Sequence, residues 1–189
     1  MSGTEALARA VSILGHPMLV MPVAAGLAAR ERGLDAQPTL AIMAGLASLG
    51  LLVLAYSVLR VSRGQWQHVD ASAPAERGQL NRFLLGLFSL ATAVALGLPA
   101  PTRLALAFAL SAAIILLALI LGRWCKLSLH VAFIAFAALV PGYLAALAGF
   151  AVFGLAVAWS RLALGRHVWR DLAAGLLAGL GAGIVFQAF

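Results

Sequence analysis

Charge is scarce in this chain. Asp, Glu, Lys and Arg make up 10% of its 189 residues, where about 25% is usual in soluble domains. Hydrophobic residues fill 63%, against the usual ~45–50%. A soluble globule with so few charges would lack the polar surface to cover its apolar side chains. Disorder is excluded too, because it requires low hydrophobicity and high charge. Cysteine is nearly missing. Cys125 stands alone, which excludes an internal disulfide, a cysteine cluster and a C-x-x-C redox pair. Acidic residues number 6 against 13 basic ones, a net charge of +7. No basic tract interleaved with aromatics occurs, so the composition gives no support for a nucleic-acid partner. The alternating ~10-residue segments of membrane β-strands are absent, as are internal repeats and low-complexity tails.

What remains is a series of apolar blocks divided by polar islands. A helix needs ~20 mostly apolar residues to cross ~30 Å of hydrocarbon. The blocks run over 10–29, 39–59, 83–98, 103–121, 131–158 and 172–188. Pro99–Ala100–Pro101 ends the third block. The fifth is too long for one straight span, and Pro141–Gly142 inside it predicts two short antiparallel helices turning at that dipeptide. The fold class expected is all-α: a single polytopic membrane helical bundle over residues 1–189, with about six to seven spans. The first thirty residues read as a retained helix rather than a cleavable signal, because Glu5 offsets Arg9 and the apolar run is broken at His16–Pro17 and Pro22.

The span count has a geometric consequence. With about seven crossings, the islands Arg60–Arg82, Gly122–His130 and Ser160–Asp171 all reach the same face of the membrane and can converge. Polar residues at membrane depth are costly and mark function. In the third island His167 and Asp171 are four apart, the spacing at which helical side chains meet, so the carboxylate can fix the imidazole tautomer. Arg161 offers a planar fork of donors suited to phosphate. In the second island Ser128 is expected to cap a helix whose free N–H groups favour an anion. Lys126 adds a charge there and His130 a donor that titrates near neutral pH. His16, beside Pro17, is expected to bond a carbonyl freed by a kink. His68 reads as an interfacial loop residue. In the last helix Gly175, Gly179 and Gly183 stand in tandem G-x-x-x-G spacing, a face for close helix packing or for a homodimer. No cluster suited to a dedicated metal or cofactor stands out.

Ser160-Arg161, five residues, His167, three residues and Asp171 match the signature S-R-x5-H-x3-D. In this the chain resembles the type 2 phosphatidic acid phosphatase superfamily, the membrane lipid phosphatases related to vanadium haloperoxidases. Leu127-Ser128-Leu129-His130 is similar to that family's P-S-G-H at its serine and histidine. The K-x6-R-P signature would put its arginine at Arg77, with Asp70 at the lysine position and Gly78 at the proline position. The resemblance covers about residues 60–185 and looks like a small bacterial-type member with altered first and second motifs. It implies metal-independent hydrolysis of a lipid phosphate or polyprenyl diphosphate through a phosphohistidine. His167 would be the nucleophile, Asp171 its orienting carboxylate and His130 the general acid. Arg161, Ser128, Arg77 and Ser160 would bind the phosphoryl group, and Lys126 would make up charge missing at Asp70. The alternatives are a non-catalytic protein of the same fold that binds or moves a lipid headgroup, and a proton-coupled transporter using His16. Basic residues are more numerous on the expected site face, which points that face to the cytoplasm, whereas the resemblance implies a bacterial inner membrane in which many members of the family work on the outer face.

Overall fold

The computed structural model describes residues 2–97 and 102–189. Eight helices follow one another, with no strand among the described residues: α1 (Gly3–Leu14), α2 (Pro17–Glu31), α3 (Ala36–Ser62), α4 (Pro74–Gly97), α5 (Thr102–Leu121), α6 (Leu129–Leu139), α7 (Leu144–Ala163) and α8 (Trp169–Ala188). Five of them, α3, α4, α5, α7 and α8, are long and apolar enough to cross a membrane, and the α1–α2 pair makes a sixth as one bent span. The chain is a polytopic helical bundle and reads as an integral membrane protein. The break at Pro99–Ala100–Pro101 lies outside the described residues.

The first span is broken by its sequence. Proline lacks the N–H that would continue the α1 ladder, and it is pre-shaped for the first helical position. The helix therefore stops at Leu14 and restarts at Pro17, bent by 50°. His16 occupies the N-cap of α2, where its Nδ1 accepts from the Met18 amide at 3.3 Å. The expected partner was a freed carbonyl. The restart instead leaves N–H groups without acceptors, and the ring nitrogen takes one of them.

α6 is the centre of the bundle. It is 11 residues long, or about 16 Å, and every residue from Val131 to Ala138 is buried. Such a helix, apolar all round, needs neighbours on every side. Helices α2, α5, α7 and α8 surround it. The glycines of α8 allow the closest of these contacts. A Cβ at Gly175 would meet the Ser128 carbonyl, one at Gly179 the Ala132 carbonyl, and one at Gly183 the Leu139 side chain. Of the two uses expected of this face, close packing within the chain is the one seen: α6 of the same chain occupies it. At the far end the Gln187 side chain donates to the Leu139 carbonyl.

The turn at Pro141–Gly142 falls where the sequence places it, and Gly142 adopts φ 84°, a region glycine enters without strain. Only one of the two helices it joins is short. α7 runs 20 residues, to Ala163, so Ser160 and Arg161 belong to its last turn. α4 likewise begins at Pro74, inside the stretch read as a polar island. Glu76 explains this early start. Its carboxylate accepts from the Gln67 amide at 2.7 Å and the Ala73 amide at 3.4 Å, placing negative charge at a helix N-terminus.

Candidate active site

All three polar islands meet on one face of the bundle, and the break between α1 and α2 joins them. The second and third islands interlock most closely. Lys126 donates from its backbone N–H to Asp171 Oδ1 at 3.0 Å and from Nζ to the Arg166 carbonyl at 2.8 Å. Ser128 N–H donates to the Asp171 carbonyl at 3.1 Å. The first island reaches the third through Arg166, whose Nη1 lies 3.1 Å from Asp70 Oδ2 and 2.7 Å from Ser72 Oγ.

His167 and Asp171 do not sit on successive turns of one helix. His167 precedes α8, and Asp171 lies in its first turn, at the third helical position. His167 Nδ1 is 3.0 Å from the Lys126 carbonyl and 3.5 Å from Asp171 Oδ2. A carbonyl only accepts, so the ring proton sits on Nδ1 and Nε2 keeps its lone pair. The Lys126 carbonyl thus does the orienting expected of Asp171. The Asp171 carboxylate is a junction for neighbouring groups. It accepts from the Lys126 amide, from the Val168 amide at 3.3 Å and from the Cys125 thiol at 3.4 Å.

Burial pushes the His167 imidazole down to about 4, helped by the Arg161 and Lys126 cations and only partly opposed by Asp171 and the Lys126 carbonyl. The ring is therefore neutral at physiological pH, the state in which an imidazole nitrogen is a nucleophile. Burial also lowers the Lys126 ammonium, with Arg77, Arg161 and Arg166 adding repulsion. The Cys125 thiol is raised, by burial first and then by Asp171.

His130 lies in the first turn of α6, near enough to Arg161, His16 and His167 to feel their charge. Its ring meets that of His16 edge to face, with centroids 5.0 Å apart. Arg161 extends from α7 to Ser12 of α1, donating to Oγ at 2.7 Å, and its Nε is buried without a partner. Ser128 occupies the N-cap of α6 as expected, yet its hydroxyl makes no capping bond. That Oγ is fully buried and has no hydrogen-bond partner. Buried hydroxyls and guanidinium nitrogens are seldom left unpaired, and both of these atoms are free to donate to an added acceptor.

The remaining expected residues divide. Arg77 is on α4 rather than in a loop, and its guanidinium donates to the Ser72 carbonyl at 3.3 Å beside Lys126. Ser160 is buried, but its hydroxyl donates back to the Val157 carbonyl at 2.7 Å and is turned away from the cluster. His68 is exposed in the loop before α4. Among the described residues no group of His, Cys, Asp and Glu has metal-holding geometry. Ser12 and Arg166 are site members that the sequence reading passed over. The signal for Ser12 was available: a hydroxyl four residues before His16 in an apolar helix.

Four cations, Arg77, Lys126, Arg161 and Arg166, therefore share one region with two carboxylates, Asp70 and Asp171. The arrangement can hold a multiply charged oxyanion beside the neutral His167 imidazole. Comparison with protein-family models, with curated proteins and with solved structures finds no match to the chain.

Proposed function

We propose that this protein is a metal-independent membrane phosphatase that hydrolyses a lipid phosphate or polyprenyl diphosphate. One observation carries the reading: the Lys126 carbonyl lies 3.0 Å from His167 Nδ1, which holds the ring proton there and leaves Nε2 with its lone pair, inside a cluster with excess positive charge. The signature resemblance at Ser160, Arg161, His167 and Asp171 supports the same assignment.

In the first step the Nε2 lone pair of His167 attacks phosphorus. The N–P bond forms as the bond from phosphorus to the lipid oxygen breaks, and protonated His130 hands its proton to that oxygen. A bound phosphate dianion favours the charged form of a nearby imidazole, so substrate itself prepares His130 for this role. In the second step water attacks phosphorus, His130 takes the water proton, and the N–P electron pair returns to His167. Arg161, Arg77 and the Ser128 hydroxyl stabilise the charge that develops on the phosphoryl oxygens. A site at the bilayer boundary meets amphiphiles whose tails remain in lipid, which favours a lipid substrate. The preponderance of basic residues on this face favours a cytoplasmic site in a bacterial inner membrane.

A second reading is favoured by one observation. Lys126, Arg161 and Arg166 already hold internal partners, as suits a protein of the same fold that binds or moves a headgroup without cleaving it. Release of inorganic phosphate from a panel of phosphatidic acid, phosphatidylglycerol phosphate and undecaprenyl diphosphate separates the two. Turnover that disappears in His167→Ala and in His130→Ala, with membrane insertion intact, is the expected result. Saturable lipid binding with no turnover by the wild type would replace the phosphatase with the binder.

A further inference from the structure

Arg166 lies outside the four-residue signature, yet it is the cation through which the segment before α4 meets the third island. Its Nη1 contacts Asp70 Oδ2 at 3.1 Å and Ser72 Oγ at 2.7 Å, and Ser72 Oγ also lies 2.6 Å from Asp70 Oδ1. Those partners come from the segment before α4, about ninety residues away in the chain. That segment is anchored behind Asp70. Trp66 is buried and donates its indole N–H to Gln79 Oε1 at 2.9 Å, and Gln67 is held by Glu76. Ahead of Asp70, Arg77 holds the Ser72 carbonyl. Between the two contact residues Ala71 takes φ 47°, a left-handed conformation that a residue with a Cβ adopts at a cost. The strap is thus fixed at both ends and strained where it presents Asp70 to the arginines.

Asp70 differs from Asp171 in what its carboxylate does. Asp171 is engaged by backbone amides. Asp70 is engaged by Arg166 and the Ser72 hydroxyl, and its charge also reaches Arg161. A carboxylate on an arginine fork uses the donors that a phosphate would use. Its side chain is 52% exposed and that of Arg166 40%, so the pair is open enough to exchange partners.

We propose that Arg166 is a further phosphate-binding residue and that Asp70 is its internal competitor, a carboxylate that occupies the guanidinium until a phosphate displaces it. The inference rests on the phosphatase reading of the site for the identity of the anion. Displacement moves Arg166 from Asp70 to a phosphoryl oxygen and frees the strap at Ala71. Asp70 thereby sets the affinity of the site and selects against weakly charged headgroups, which give the guanidinium less than the carboxylate already does.

The test is binding of inorganic phosphate to the detergent-solubilised full chain, measured by calorimetry at fixed low ionic strength. Asp70→Asn keeps the shape and removes the charge. An exposed ion pair is worth little, so phosphate should bind Asp70→Asn about two- to fivefold more tightly than wild type. Ser72→Ala should give a smaller gain in the same direction. The gain should vanish in the Asp70→Asn/Arg166→Gln double variant. Equal or weaker binding by Asp70→Asn, with wild-type binding intact, would overturn the competitor and leave the phosphate site standing. Gain that persists without Arg166 would overturn the assignment of that residue. No phosphate binding by any variant would overturn the phosphatase reading and the competitor with it. Monodisperse elution of each variant at the wild-type volume shows that a loss is not misfolding.

Discussion

The imidazole of His167 is held by the main chain of Lys126, Nδ1 to carbonyl at 3.0 Å, and not chiefly by Asp171, whose nearer oxygen is 3.5 Å away. The two contacts belong to one device. Asp171 accepts from the Lys126 N–H, and the Lys126 carbonyl accepts from His167. The carboxylate thus acts on the histidine through one intervening residue, holding its N–H while its carbonyl holds the ring. Asp171→Asn keeps the shape but replaces one acceptor oxygen with a donor, so it sets two N–H groups against each other. Leaving a buried donor unsatisfied costs about 1–3 kcal/mol. The variant should unfold at lower temperature in detergent and should release less phosphate. Unchanged stability with lost activity would show that Asp171 acts on His167 directly.

The same histidine gives stability a dependence on pH. In the unfolded chain its imidazole takes a proton near the ordinary 6.5; in the fold it does so only at about 4. Between these values the unfolded state binds more protons. Stability from this group is therefore complete above 6.5 and is lost as pH falls toward 4. The amount is about 3 kcal/mol at most. Thermal unfolding followed from pH 7 to pH 4 should show a decline that is shallower in His167→Asn. Activity should fall over the acid end of that range, because a protonated Nε2 has no lone pair to offer.

Features whose causes are local were legible in the sequence. Pro17 and Pro141–Gly142 break helices because of their own backbones, and the breaks fall there, whereas α2 runs on through Pro22. The convergence of three islands was expected from about seven crossings; the structure has five or six spans and the short α6, and hydrogen bonds from Lys126 to Arg166 and from Arg166 to Ser72 are what join the islands. Contacts between distant segments were not legible. The Arg161–Ser12 bond joins residues 149 apart in sequence, and nothing in either segment names the other. The pairing of His167 with a main-chain carbonyl was hidden for a different reason. A four-residue spacing suggests a helix, but the chain between Ala163 and Trp169 is not helical, so the spacing found Asp171, 3.5 Å from Nδ1, but not the closer Lys126 carbonyl. The glycines of α8 showed a face for close approach without showing which helix takes it.

Cys125 offers a probe of the junction that needs no substrate. Burial and the neighbouring Asp171 carboxylate raise its thiol, which donates to Asp171 Oδ1 at 3.4 Å. The thiolate is the reactive form. Labelling by a maleimide at pH 7.5 should therefore be slower than for a free thiol in the same detergent. Asp171→Asn should speed it severalfold by removing the charge. Wild-type labelling as fast as that of a free thiol would break the link between Cys125 and Asp171.

Packing between α6 and α8 is the condition for the whole site, because Ser128 and His130 ride on the first helix while Asp171 rides on the second. A side chain at Gly179 would press on the Ala132 carbonyl and the Ala135 methyl. Backbone on one side and a short side chain on the other leave nothing flexible to yield. Gly179→Val should therefore cost about 1–3 kcal/mol and separate the two helices near their middle. That separation would draw the Ser128 N–H away from the Asp171 carbonyl, a bond of 3.1 Å, and shift His130 relative to His167. Phosphate release should fall at least tenfold with every site residue intact. Gly181→Val, on the same helix with open space around its Cα, is the matched control and should change neither stability nor turnover appreciably. Cross-linking in native membranes should give the same oligomer pattern for wild type and Gly179→Val, since the face altered lies inside one chain.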